Sequence, residues 1–94
     1  MTIRELLDIL HTIPYSKLTD GIVYCRINDS VDVVSSLGRV DIDFMRDNTC
    51  IGFIRVFGNN TINPAFPEKS EYVAAMEHVI TYLEIIGFKR DNWI

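Results

Sequence analysis

Glycine is sparse and scattered in this chain. Gly21, Gly38, Gly52, Gly58 and Gly87 stand singly, so neither common form of the glycine-rich phosphate loop is present. Cysteine is limited to Cys25 and Cys50, which form no CxxC pair, and the two histidines, His11 and His78, lie far apart. The paired ligand spacing of a zinc site is therefore missing, and no metal or other cofactor is expected. No apolar run approaches the roughly 20 residues needed to cross a bilayer, so no membrane association is expected. Positive charge is also short: nine basic against thirteen acidic residues give a net charge of −4. That balance disfavours the phosphate-neutralising surface on which nucleic-acid binders rely. The N-terminal MTIRELLDIL carries acidic residues inside its apolar pattern and offers no small-residue cleavage site, which argues against a secretory signal and for the cytoplasm.

What is present suits one globular domain over residues 1–94, since a chain of this length has no apolar residues to spare for a second core. Arg39 to Met45 alternates strictly, with Val40, Ile42 and Phe44 on one face and Arg39, Asp41 and Asp43 on the other. Asp47-Asn48 tolerates the positive φ angles of a tight hairpin, and Cys50 to Phe57 reads as the returning strand. With a plain two-residue turn, Phe44 faces Ile51 and Ile42 faces Phe53 as core, while Ile54 and Val56 join Asp41 and Asp43 on the reverse face.

Around this hairpin, Thr2-x-x-Glu5 has the form of a capping box, and Ile3, Leu6, Leu7 and Leu10 recur at helical spacing, predicting a helix from about Ile3 to Ile13 that Pro14 stops. Gly21 to Ile27 reads as a strand. The valine-rich segment that follows fits either a strand or a short helix ending at Gly38. Gly58 to Pro67 reads as a loop of about ten residues. A helix from Glu68 or Glu71 to Ile86 is closed by Gly87, with Phe88 placed for a Schellman contact. The expected fold is α+β: an antiparallel sheet of three or four strands flanked by N- and C-terminal helices, ordered α-β-β-β-β-α or α-β-α-β-β-α.

Chemistry is thinly signalled. Asp41 and Asp43 share a strand face about 7 Å apart and could hold a hard cation or divide acid and base roles, although a solvated face balanced by Arg39 and Arg46 is the commoner use of such a pattern. Cys50 and His78 could meet as a nucleophile and base, but nothing identifies a residue to orient the histidine. Asn28-Asp29-Ser30 and Asn59-Asn60-Thr61 match glycosylation sequons and read here as turns.

The reading that follows is a small acidic cytoplasmic protein-binding module without catalysis, of the inhibitor, adaptor or immunity type, in a size range that fits phage and mobile-element genes. Its interface is expected on Asp41, Asp43, Ile54 and Val56, with Asn59, Asn60 and Phe66 of the adjacent loop. Self-association through Ile54 and Val56, giving a homodimer, is its simplest form. The competing expectation is a small-molecule site or small enzyme, with a pocket between the 58–67 loop and the last helix anchored by Tyr72, His78 and the strand carboxylates.

Overall fold

The computed structural model of the chain describes residues 2–29 and 38–91. The choice between strand and helix for the valine-rich segment, and the packing of Trp93, fall outside the described residues. Helix α1 spans Ile3–Leu10 and opens on the expected capping box: the Glu5 amide donates to Thr2 Oγ1 and the Thr2 amide to Glu5 Oε1, each at 3.2 Å. The Thr2 backbone and side-chain hydrogen bonds hold the Glu5 carboxyl below its usual range. The helix ends at Leu10, one turn before the predicted Ile13. Its last carbonyls are shared between backbone and side chains: Leu7 accepts the His11 amide and His11 Nδ1, and Ile9 accepts the Thr12 amide and Thr12 Oγ1, the side-chain bonds both at 2.7 Å. Such local bonds compete with helix continuation. A single-turn helix, α2, Tyr15–Leu18, follows Pro14.

Among the described residues five strands then form one sheet in the order β1-β2-β3-β4-β5, comprising Tyr24–Asn28, Arg39–Arg46, Thr49–Phe57, Thr61–Ala65 and Lys89–Arg90. All neighbours are antiparallel except β4 and β5. The expected α+β domain with helices at both ends is therefore present, with more strands than foreseen. The predicted 58–67 loop contains β4. Asn60 turns the chain at φ 67°, and Asn59 Oδ1 accepts hydrogen bonds from the amide and hydroxyl of Thr61. Pro64 is tolerated in β4 because β5 reaches only Thr61 and Ile62, leaving the strand an edge at that point.

The hairpin turns at Asp47 and Asn48 with φ of 51° and 64°, the paired positive values a tight two-residue turn needs. Its register differs from the plain one. Phe44 pairs with Gly52 but Met45 pairs with Cys50, so Ile51 is an extra residue in β3, a β-bulge. Beyond it, Ile42 lies opposite Ile54 and Val40 opposite Val56, while Asp43 faces Phe53 and Asp41 faces Arg55. Ile54 and Val56 are thus fully buried. Their placement on the reverse face is corrected by that single inserted residue, because a shift of one position sends every side chain to the opposite side.

Helix α3, Ser70–Ile85, lies on this buried face and contributes Met76, Val79, Ile80 and Leu83 to one core shared with Leu6 and Leu10 of α1. Its C-terminus closes as expected. Gly87 sits at φ 115° and donates to the Glu84 carbonyl, and Phe88 donates to the Leu83 carbonyl at 2.9 Å, the two bonds of a Schellman motif. Phe88 is buried by this turn and the chain is aimed into β5.

Candidate functional site

All described helices pack on one side of the sheet, so among the described residues the other side is a helix-free face. Its side chains form rows across the strands. Asn28, Asp41, Arg55 and Asn63 make one row from β1 to β4, and Arg26, Asp43, Phe53 and Ala65 make the next. Arg39 and Phe57 begin a third. Neither Phe53 nor Phe57 joins the core cluster, in keeping with this placement.

The centre of this face is charged and yet buried, with Asp41 and Asp43 each only 7% exposed. Arg26 Nη2 donates to Asp43 Oδ2 at 3.0 Å and Asn28 Nδ2 adds a longer bond of 3.4 Å to the same oxygen. Arg39 Nε stands 3.6 Å from Asp41 Oδ1, close enough for an ion pair and too far for a hydrogen bond. Arg55 lies over the Phe53 ring, 5.1 Å from its centroid. Among the described residues, three buried atoms, Arg39 Nε, Asp41 Oδ1 and Arg55 Nε, make no hydrogen bond.

Burial pushes the Asp41 carboxyl up, a shift opposed by the charges of Arg39 and Arg55 and reinforced by Asp43. A carboxyl whose folded value is raised binds more protons in the native state, so its contribution to stability grows as pH falls through the raised value and is complete below the ordinary 3.8. Wild type is therefore expected to gain stability relative to Asp41→Asn as pH is lowered across that window, read from parallel urea melts. A constant difference would contradict the raised value.

The other foreseen site residues separate. Asn59 and Asn60 shape the β3–β4 turn, and the Asn60 carbonyl accepts the Lys89 amide at 2.9 Å. Phe66 is exposed beneath the Arg90 guanidinium. His78 Nδ1 donates to the Leu18 carbonyl at 2.9 Å, tying α3 to α2. Tyr72 borders an open depression of about 430 Å³ with Asp47, Ile51 and Pro67, but neither His78 nor the carboxylates line it. The three anchors proposed for a small-molecule pocket do not converge, because Asp41 and Asp43 lie on the far side of the sheet. Arg46, expected to balance the strand carboxylates together with Arg39, instead donates to the Ile22 carbonyl. The residues that sequence reasoning missed are Arg26, Phe53 and Arg55. For Phe53 and Arg55 the signal was the alternation Phe53-Arg55-Phe57, which shows its face only once the bulge is known, and for Arg26 it was the alternation of β1.

Cys25 and Cys50 are both free, and β2 lies between their strands. Two strand spacings put them about 9–10 Å apart, beyond disulfide reach. Burial pushes the Cys25 thiol up to about 12, whereas Cys50 is exposed. A thiol reagent at pH 8 is therefore expected to label one cysteine quickly in the native protein and both after unfolding, and Cys50→Ser should remove the fast phase. Fast labelling that survives Cys50→Ser would contradict the burial of Cys25.

Among the described residues no three His, Cys, Asp or Glu side chains are grouped to hold a metal ion, and no helix is long and apolar enough to cross a membrane. Comparison with protein families, with curated proteins and with solved structures gives no match. The functional reading therefore comes from the geometry of the helix-free face.

Proposed function

We propose that the chain is a non-catalytic protein-binding module that acts in the cytoplasm as an inhibitor, adaptor or immunity-type factor and docks its partner on the helix-free face of the sheet. One observation carries this reading. A face meant only for solvent holds its charges at full exposure, but here Asp41 and Asp43 are 7% exposed, and among the described residues Arg55 Nε and the ion-paired Arg39 Nε and Asp41 Oδ1 are buried without a hydrogen bond. The grid is already partly desolvated and fixed by cross-strand pairing, which lowers the ordering cost of association. Arginine and aromatic side chains, which Arg55, Phe53 and Phe57 supply here, are the types enriched where interfaces concentrate their binding energy. Among the described residues the cluster contains no histidine, cysteine or serine, so no serine- or cysteine-type nucleophile stands there beside a histidine base. Self-association through Ile54 and Val56 is set aside because both are core.

The test is a photo-activatable phenylalanine placed at Thr61 or Asn63 on the face, or at Thr81 or Glu84 on the exposed side of α3, in the cells that make this protein. A discrete cross-linked species from the face positions and none from α3 is the expected result. Discrete species from α3, or none from the face, would overturn the reading.

A further inference from the structure

The charges on the helix-free face do not balance, and the imbalance describes the partner. Arg26, Arg39 and Arg55 supply three guanidinium groups, and Asp41 and Asp43 supply two carboxylates. Arg26 is matched by Asp43 and Arg39 by Asp41. Among the described residues Arg55 is in no ion pair and its buried Nε makes no hydrogen bond, and its guanidinium carbon lies over the Phe53 ring, 5.1 Å from the centroid. On the β4 side of Arg55 lie Asn63 and Thr61, and Lys89 continues the Thr61 row. Against these two cations, Asp91 is the acid that follows β5 at the end of that side. The half of the face from β3 to β5 therefore carries surplus positive charge and hydrogen-bond donors on a chain whose net charge is −4.

Resting on the reading of this face as a docking surface, we infer that the partner presents an acidic segment and that one of its Asp or Glu side chains seats on Arg55. The guanidinium is a rigid fork of donors that matches a carboxylate in two parallel bonds, and the cation–π contact with Phe53 favours its position over the ring before the partner arrives. The flanking rings of Phe53 and Phe57 give the aliphatic part of such a side chain an apolar surface. A nucleic-acid strand is the poorer match, because a string of phosphates needs several uncompensated cations and would meet Asp41 and Asp43 at the centre of the face.

The experiment is an NMR titration of the ¹⁵N-labelled full chain, read at the Arg55 Nε–Hε signal and at the Thr61 and Asn63 amides. The probes are a capped dodecapeptide made of three Glu-Ser-Phe-Ser repeats, the same peptide with Lys for each Glu, and a 12-nucleotide single-stranded DNA. The acidic peptide is expected to move the Arg55 signal saturably, the lysine peptide to leave it in place, and Arg55→Gln to weaken binding about tenfold or more, with Arg55→Lys in between. No movement of Arg55, affinity unchanged in Arg55→Gln, or tighter binding of the oligonucleotide at the same signal would overturn the inference. The photo-cross-linking experiment repeated in Arg55→Gln separates the two proposals. A species from Asn63 that persists undiminished removes the acidic segment and leaves the docking face, whereas loss of that species with α3 positions silent supports both.

Discussion

Ile54→Asp is expected to yield no cooperatively folded protein. Ile54 is fully buried between the sheet and the helices, opposite Ile42 on β2, and no cation lies on that side of its strand to meet a carboxylate. An unpaired buried charge costs several kcal/mol in addition to the roughly 2–5 kcal/mol lost when a core isoleucine is truncated to alanine. A domain has only about 5–15 kcal/mol in total. Far-UV circular dichroism and amide dispersion should show an unfolded or collapsed chain. Arg55→Gln, one residue away and on the other face, should keep the native spectrum. A folded, monomeric Ile54→Asp protein would mean that Ile54 faces solvent and that the bulge is misplaced.

Gly52→Ala is the second large effect, expected to cost about 1–3 kcal/mol in urea denaturation. A methyl group at this position would lie 2.8 Å from the Ala65 carbonyl oxygen, 2.9 Å from Met76 Sδ and 3.1 Å from Pro67 Cδ. Met76 is a flexible side chain and can move aside, but the Ala65 carbonyl belongs to the neighbouring strand and cannot move without disturbing the ladder. Gly52 thus lets α3 and the end of β4 approach the hairpin closely. Gly87→Ala makes an instructive comparison, because nothing lies within 4 Å of its new methyl and the cost comes only from a backbone at φ 115°. Gly52→Ala as stable as wild type would contradict the close approach.

The elements legible in the sequence were those set by neighbours in the chain. Thr2 and Glu5 form their capping box within one turn, Asp47-Asn48 makes its hairpin from its own backbone preferences, and Gly87-Phe88 closes α3 with two local bonds. What was not legible depends on distant partners. Thr61–Ala65 looks like a loop because it contains Asn and Pro, and it becomes a strand because β3 offers it a ladder. Lys89–Arg90 is too short to show a period and exists as a strand only beside β4.

The candidate site was half legible for the same reason. Asp41 and Asp43 were placed by the clean alternation of β2. Cys50 to Phe57 is apolar on both faces, so its pattern could not decide which way Ile54 or Arg55 points, and Ile51 shows no sign in its residue type that it is the extra one.

Everything proposed for the helix-free face depends on that register. Disulfide trapping tests it most directly, in a background of Cys25→Ala and Cys50→Ser, with Asp41→Cys combined either with Arg55→Cys or with Ile54→Cys. Directly opposed residues on antiparallel strands come within about 4.5–5.5 Å, inside the disulfide range, whereas residues on opposite faces do not align their side chains. Rapid oxidation of the Asp41→Cys/Arg55→Cys pair, with Asp41→Cys/Ile54→Cys remaining reduced while folded, is the predicted result. Rapid oxidation of the Ile54 pair in place of the Arg55 pair would return Ile54 and Val56 to the surface and dissolve the arginine and carboxylate grid on which the docking face is built.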